Sequence, residues 1–264
     1  MFTNIPSIPI LMVGAGNIAW HLGAALKDSG LPVTQVWSRH MNNAEELAKE
    51  LSSKATDSIE DIFHFNGIIL FCVPDHVIPF FASRIQNTNS IIVHTSGSTN
   101  ISVFEKHASQ LGVFYPLQTF TKAKPEKNFK DVPVLIEAST LLVDEILTFW
   151  AKSIDAKLYH LNSPQRLKIH IAAVFSCNFT NHMISIAQEI AKENKLDFEL
   201  LKPLITETLT NLMHFDPKEI QTGPAMRKDL DTIQKHKNSL SSHPDYAKIY
   251  SFVSDSIIKM HFED

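Results

Sequence analysis

Gly14-x-Gly16-x-x-Ala19 is the spacing in this chain that most directly implies chemistry, because it follows an apolar run and precedes a helix-compatible segment. In a strand–turn–helix unit, Gly14 permits the tight turn and Gly16 lets the backbone approach a pyrophosphate. Ala19 is small enough for the helix to pack on the strand. Ala15, Asn17 and Ile18 complete the turn, and the helix N-terminus offers N–H groups and a positive dipole end to phosphates. With only 8 glycines in 264 residues, against a usual roughly 7%, two at these positions are less easily an accident. The residues point to a bound dinucleotide.

The end of the next strand-like run reads Trp37-Ser38-Arg39-His40. No Asp or Glu stands there to hold a ribose 2′-hydroxyl or to repel a 2′-phosphate. Ser38 can donate a hydrogen bond and Arg39 a forked, charge-assisted one, so NADP(H) is favoured over NAD. A solvated turn is the plain alternative. Ligands of open α/β sheets sit beyond the C-terminal strand ends, which brings in Val73 and Pro74 as cofactor contacts. The same rule brings in His94 and Ser96, and Gln118 and Thr119 after Tyr115-Pro-Leu. His94 has the ordinary pKa of a proton donor, about 6.5, and is equally readable as a structural histidine. Ser96, Gln118 and Thr119 are candidates for orienting a substrate, and Pro74 can equally serve only to open a helix.

Further along, Ile169–Ala187 is apolar nearly all round, which predicts burial. At 100° per residue His170, Val174, Cys177, Asn178 and Asn181 share a face roughly 100° wide. Buried polar groups need partners, so this stripe is expected to face a nicotinamide and substrate across an interdomain cleft. Alternatively it satisfies local backbone or faces a partner subunit. Arg227, just after Thr222-Gly-Pro, is a candidate for an anionic substrate group or simply a solvated charge.

The elements that must position these residues alternate. Strands are predicted at Ile8–Val13, Val33–Trp37, Ile68–Val73, Ile91–His94, Val113–Tyr115, Val132–Ile136 and Lys157–His160, with helices at Asn17–Lys27, Asn42–Leu51 and Thr140–Lys152. After Asn162-Ser-Pro only helical patterns follow: Gln165–Asn194, Phe198–His214, Met226–His236 and Asp245–His261. The expected architecture is α/β: a Rossmann-type, mostly parallel sheet domain over residues 1–162, then an all-α domain over 163–264.

Composition sets bounds. Hydrophobic content of 44%, charged content of 20% and a formal net charge of −4 without a basic block describe an ordinary globular chain. Nucleic acid and membrane are poor partners for it. The two cysteines, Cys72 and Cys177, lie in apolar surroundings and read as buried thiols of a reducing compartment. Met1 to Ile10 lacks a cationic, apolar leader, so a cytoplasmic location is expected. The 13 histidines form no His-Glu-x-x-His, and no Cys/His cluster, phosphate loop or Gly-x-Ser-x-Gly elbow occurs, so no metal is expected.

Taken together, Gly14-Ala-Gly-Asn-Ile-Ala19, Val73-Pro-Asp75, His94-Thr-Ser-Gly97, Tyr115-Pro-Leu-Gln-Thr-Phe120, Ala172-Ala-Val-Phe-x-x-Asn178-Phe-x-Asn181 and Thr222-Gly-Pro-x-x-Arg-x-Asp229 carry a resemblance over nearly the whole chain. It resembles a family of NADP-dependent oxidoreductases that join a Rossmann-like domain to a helical domain of unknown function. Its relatives in fold are the 6-phosphogluconate and β-hydroxyacid dehydrogenases and pyrroline-5-carboxylate reductase. The resemblance implies a homodimer through the helical domain, with the active site between domains. One position departs: the β-hydroxyacid dehydrogenases carry a lysine four residues before the asparagine matched by Asn178, and here that position is Val174. Proton transfer then falls to His170 or His94. The expectation is an NADPH-dependent reductase of a small carbonyl or imine, with Asn178 positioning substrate or nicotinamide. The alternative is a non-catalytic NADP-binding sensor or interaction module.

Overall fold

The computed structural model describes residues 7–85, 89–121 and 129–262. Most of the leader region read above, Met1 to Pro6, lies outside them. Among the described residues the strands β1 (Ile10–Val13), β2 (Val33–Trp37), β3 (Lys54–Thr56), β4 (Ile68–Phe71), β5 (Ile91–His94), β6 (Leu111–Pro116), β7 (Pro133–Ala138) and β8 (Lys157–His160) form one sheet. Its order is β3-β2-β1-β4-β5-β6-β7-β8. β1 to β6 run parallel; β7 is antiparallel to β6 and parallel to β8. The chain reverses its direction of growth between β1 and β4, the switch point at which such sheets bind ligands.

The apolar runs are continuous because both faces are covered. Along β1, Ile10 and Met12 enter one core layer with Leu22, Leu70, Phe114 and Trp150. Leu11 and Val13 enter the other with Phe71, Phe81 and Phe104. Helices α1 (Asn17–Asp28), α2 (Met41–Leu51), α3 (Ile59–Phe63), α4 (Ile78–Ala82) and α5 (Leu141–Ser153) connect the strands. β3 and α3 have no counterpart in the sequence reading, since three and five residues are too short to show a period. After Pro74 a 3₁₀ turn, Asp75–Val77, precedes α4.

Contacts divide the chain into two compact units, Met1–Ser176 and Cys177–Asp264. Strands end near residue 162 as expected, yet α6 (Ser163–Ala173) belongs with the sheet unit. Asn162 and Gln165 close a capping box at its start. A π-helical stretch, Val174–Phe179, leads to α7 (Thr180–Glu193), so the 100° progression assumed from His170 to Asn181 does not hold through it. The expected burial of this segment is also corrected. Phe175 is 64% exposed and Ile171, Phe179 and Met183 are exposed as well, because nothing in a single chain covers them. Cys177 is exposed for the same reason, whereas Cys72 is buried. The helical unit continues with α8 (Lys202–Asn211), α9 (Leu230–Ser239) and α10 (Pro244–Phe262). α9 begins later than Met226 because Asp229 caps it, accepting from the Thr232 N–H at 3.0 Å. Among the described residues no helix is long and apolar enough to cross a membrane.

Gly14 is closely packed against the strand beside it. Its φ is +115°, and a Cβ there would lie 2.4 Å from the Cys72 carbonyl oxygen; at Gly16 a Cβ would meet nothing within 4 Å. Gly14→Ala is therefore expected to cost about 2 kcal/mol or more in urea unfolding. Gly16→Ala, at a helix N-cap, should stay within about 1 kcal/mol. Equal losses at the two positions would contradict this reading.

Candidate active site

The turn between β1 and α1 has the geometry a dinucleotide needs. Gly16 is the N-cap of α1 and is exposed, without a side chain to cap the helix or to fill the open space beyond it. No acidic residue lies in the first turn, leaving the positive dipole end uncompensated there. Ala19 is fully buried, which lets α1 lie close on the sheet. Ala15 packs at the margin of the core. Ser38 follows β2 with its N–H donated to the Thr56 carbonyl at 3.1 Å, and Arg39 beside it is exposed. A dinucleotide fits these residues.

Across the switch point, Val73 touches Gly14, and Pro74 is exposed at the end of β4. Asp75 accepts a hydrogen bond from the Ser98 hydroxyl, linking the loop after β4 to the loop after β5. The latter loop is internally tied. The His94 Nδ1 accepts from the Ser96 N–H at 3.2 Å. The Ser96 hydroxyl accepts from the Ser98 and Thr99 N–H groups and donates to the Thr99 hydroxyl. Ser96 is buried and committed to this turn, so its hydroxyl shapes the loop and is not presented to a ligand. Gln118 and Thr119 lie exposed beyond β6, with the Gln118 Oε1 accepting from the Thr119 N–H at 2.8 Å.

His170 meets a residue the sequence reading passed over. The Tyr115 hydroxyl, at the end of β6, lies 2.9 Å from the His170 Nδ1, and the two rings sit edge to face at 5.8 Å between centroids. Gly97 makes the approach possible: a Cβ there would lie 2.7 Å from the His170 Nδ1 and 2.9 Å from the Tyr115 Cζ. Burial raises the Tyr115 hydroxyl above its ordinary value near 10, and Asp75 raises it further while Arg166 opposes. The available signal was its position, since Tyr115 carries the one polar side chain in Leu111–Pro116. His94, by contrast, is 1% exposed. Burial, with help from the Arg166 charge and against Asp75 and the Asn100 backbone, lowers it to about 3. A ring held neutral this firmly is a loop support and a poor proton donor.

Asn178, Asn181 and Arg227 belong to the second unit and are exposed there. Among the described residues no group of three or more His, Cys, Asp or Glu side chains is placed to hold a metal ion.

Comparison with known proteins places these features. Residues 8–97 match the family described as NADP oxidoreductase, coenzyme F420-dependent, and residues 132–257 match a domain of unknown function, DUF2520. A crystal structure from Bacteroides fragilis, named as an NADP oxidoreductase, is 36% identical over 97% of this chain and 100% of that one, with a TM-score of 0.87. The chain belongs to this family of NADP oxidoreductases. Its fold, at lower identity, is also that of an imine reductase from Myxococcus stipitatus solved with NAD+ (16% identical, 98% and 96% of the two chains, TM-score 0.63). It is shared as well with 1-pyrroline-5-carboxylate reductase from Streptococcus pyogenes (11%, 96% and 98%, TM-score 0.60). The glutamyl-tRNA reductase of Methanococcus maripaludis is 21% identical over 215 residues, which is 71% of this chain and 56% of that protein. The chain thus spans little more than half the length of that curated relative.

In this family member the buried His94 has a measurable signature. Its folded-state value of about 3 lies below the ordinary 6.5, so the unfolded chain takes up the proton first. Its contribution to stability is full above about pH 6.5 and is lost as pH falls toward 3, by up to about 1.4 kcal/mol per pH unit. His94→Gln should flatten the decline in urea-unfolding free energy between about pH 7 and about pH 5. A slope unchanged from the wild type would show that the ring is not held neutral.

Proposed function

We propose that this NADP oxidoreductase is an NADPH-dependent reductase of a small carbonyl or imine compound, with the Tyr115 hydroxyl delivering the proton and His170 supporting it. The observation that carries the reading is the 2.9 Å Tyr115–His170 pair at the C-terminal strand edge. Gly14 and Val73 meet at the same edge.

Gly14, Ala15, Gly16, Asn17 and Ile18 would hold the pyrophosphate, Ser38 and Arg39 the 2′-phosphate, and Val73 and Pro74 the nicotinamide side. When bound, NADPH supplies the hydride. What remains for the chain is to orient the acceptor and to give a proton to the oxygen or nitrogen that gains charge. Tyr115 bears its proton at neutral pH, and because burial and Asp75 raise its proton affinity, the phenolate left by transfer needs a partner such as His170. Once the hydroxyl turns to a substrate heteroatom, a His170 Nδ1–H can donate to the phenolic oxygen and stabilise the phenolate left behind. His94 keeps its loop and takes no part in the transfer. Asn178, Asn181 and Arg227 retain their sequence-based assignment to substrate binding. A reductive direction accords with the imine and pyrroline-5-carboxylate reductases that share the fold.

Assembly as a homodimer through the helical unit belongs to the same proposal. It is supported by apolar side chains left uncovered in one chain, among them Leu200, Met213 and Phe252 at 71%, 76% and 76% exposure. So does a cytoplasmic location, on the ground that the two cysteines form no disulfide.

The test is NADPH oxidation with a panel of 2-oxo acids, aldehydes and cyclic imines. Tyr115→Phe is expected to lower kcat about 100-fold with the KM for NADPH unchanged. Arg39→Ala should raise the KM for NADPH about tenfold and leave that for NADH alone. Full turnover by Tyr115→Phe would overturn the assignment of the donor. Tight NADPH binding with no turnover across the panel would favour a non-catalytic NADP-binding module.

A further inference from the structure

We infer that Arg166 and Asp75 are positioning residues for the Tyr115–His170 pair, gripping adjacent residues of the loop that seats both rings with opposite charges. The inference rests on the proton-donor reading of Tyr115 given above.

Arg166 is 0% exposed, the one positively charged side chain in the described core. A buried guanidinium is costly unless paired and hydrogen-bonded, and this one is spread over three elements. Its Nη1 donates to the Glu137 Oε2 on β7 at 2.5 Å. Its Nη2 donates to the Thr99 carbonyl at 2.5 Å and to the Ser163 hydroxyl at 3.1 Å. Ser163 completes the clamp, donating to Glu137 at 2.6 Å and accepting from the Ile101 N–H at 3.0 Å. Ser163, Arg166 and His170 lie three and four residues apart on α6 and therefore share a face. The grip on Thr99 and Ile101 thus fixes the height at which the same helix presents His170 to Tyr115.

Asp75 holds the neighbouring residue. Its carboxylate accepts from the Ser98 hydroxyl, next to the Thr99 carbonyl that Arg166 holds. Gly97, immediately before, is the residue wedged against both rings. A hydrophobic residue of similar volume at position 166 would serve packing at least as well, but would bind neither Thr99 nor Glu137. It would also remove a positive charge from the surroundings of Tyr115. The groups that act on that hydroxyl are His170, by its hydrogen bond, and the charges of Asp75 and Arg166, the latter paired with Glu137. Asp75 raises the proton affinity of the hydroxyl and Arg166 lowers it.

The experiment uses the full chain without ligand, titrating ¹³Cζ-labelled tyrosines by NMR, with Tyr115 assigned by the signal lost in Tyr115→Phe. Asp75→Asn is expected to move the Tyr115 titration to lower pH and Arg166→Met to higher pH. Arg166→Lys, which keeps the charge, should return it toward the wild-type position. A titration unmoved by Asp75→Asn, or moved in the same direction by Asp75→Asn and Arg166→Met, would overturn the inference. Should Arg166→Met not fold, as circular dichroism would show, Asp75→Asn and Arg166→Lys decide it alone. NADPH oxidation with 1-pyrroline, compared between Tyr115→Phe and wild type, keeps the readings apart. Opposite titration shifts with unaffected turnover would retain the positioning and discard the donor role.

Discussion

A parallel sheet delivers the C-terminal end of every strand to one edge, and that constraint organises the site in this chain. β1, β4, β5 and β6 all run the same way. Gly14, Val73, the His94–Thr99 loop and Tyr115 therefore arrive together although the sequence spreads them widely. The reversal between β1 and β4 opens the space beside them. Everything proposed for the sheet unit depends on that shared edge, including the Arg166–Glu137 ion pair that ties α6 back to it.

Chemistry at this edge is divided by burial. His94 and Tyr115 both lie beside the Gly97 loop, and both are displaced from their ordinary ionisation by desolvation. For the histidine, full burial removes the charged form and with it any use as an acid near neutrality. For the tyrosine, partial burial also favours the neutral form, which a phenol already holds at neutral pH, so its use as a donor turns on the neighbouring His170 and not on the shift. One physical cause thus removes the charged form of the histidine and leaves the tyrosine bearing its proton. Cys72, buried close by against Thr95, is likewise pushed up to about 12 and is chemically quiet.

Much of the fold was legible in the sequence because its signals are local. An apolar run of four to six residues and a glycine pressed on a neighbouring strand with φ of +115° each announce themselves within a few positions. The site was legible only in part. His170 could be picked out as a polar residue in an apolar helix, but its partner Tyr115 lies 55 residues away in sequence. Nothing short of the β6–α6 packing joins them. Arg166 drew no reading from the sequence for the same reason, since its partners Glu137 and Thr99 come from other elements. The π-helical stretch after α6 escaped a fixed 100° rule, and the exposure of Phe175 and Cys177 escaped a rule that equates apolar helices with burial in one chain.

The central claim is that the Tyr115–His170 pair stands where reduction takes place. A crystal structure of the chain with NADPH tests it most directly, by the position of the nicotinamide C4. Pyrophosphate is expected on the Gly14–Gly16 turn and a nicotinamide C4 facing the Tyr115 hydroxyl, with room between them for one small acceptor group. A nicotinamide turned away from Tyr115, or a cofactor seated anywhere other than that turn, would contradict it.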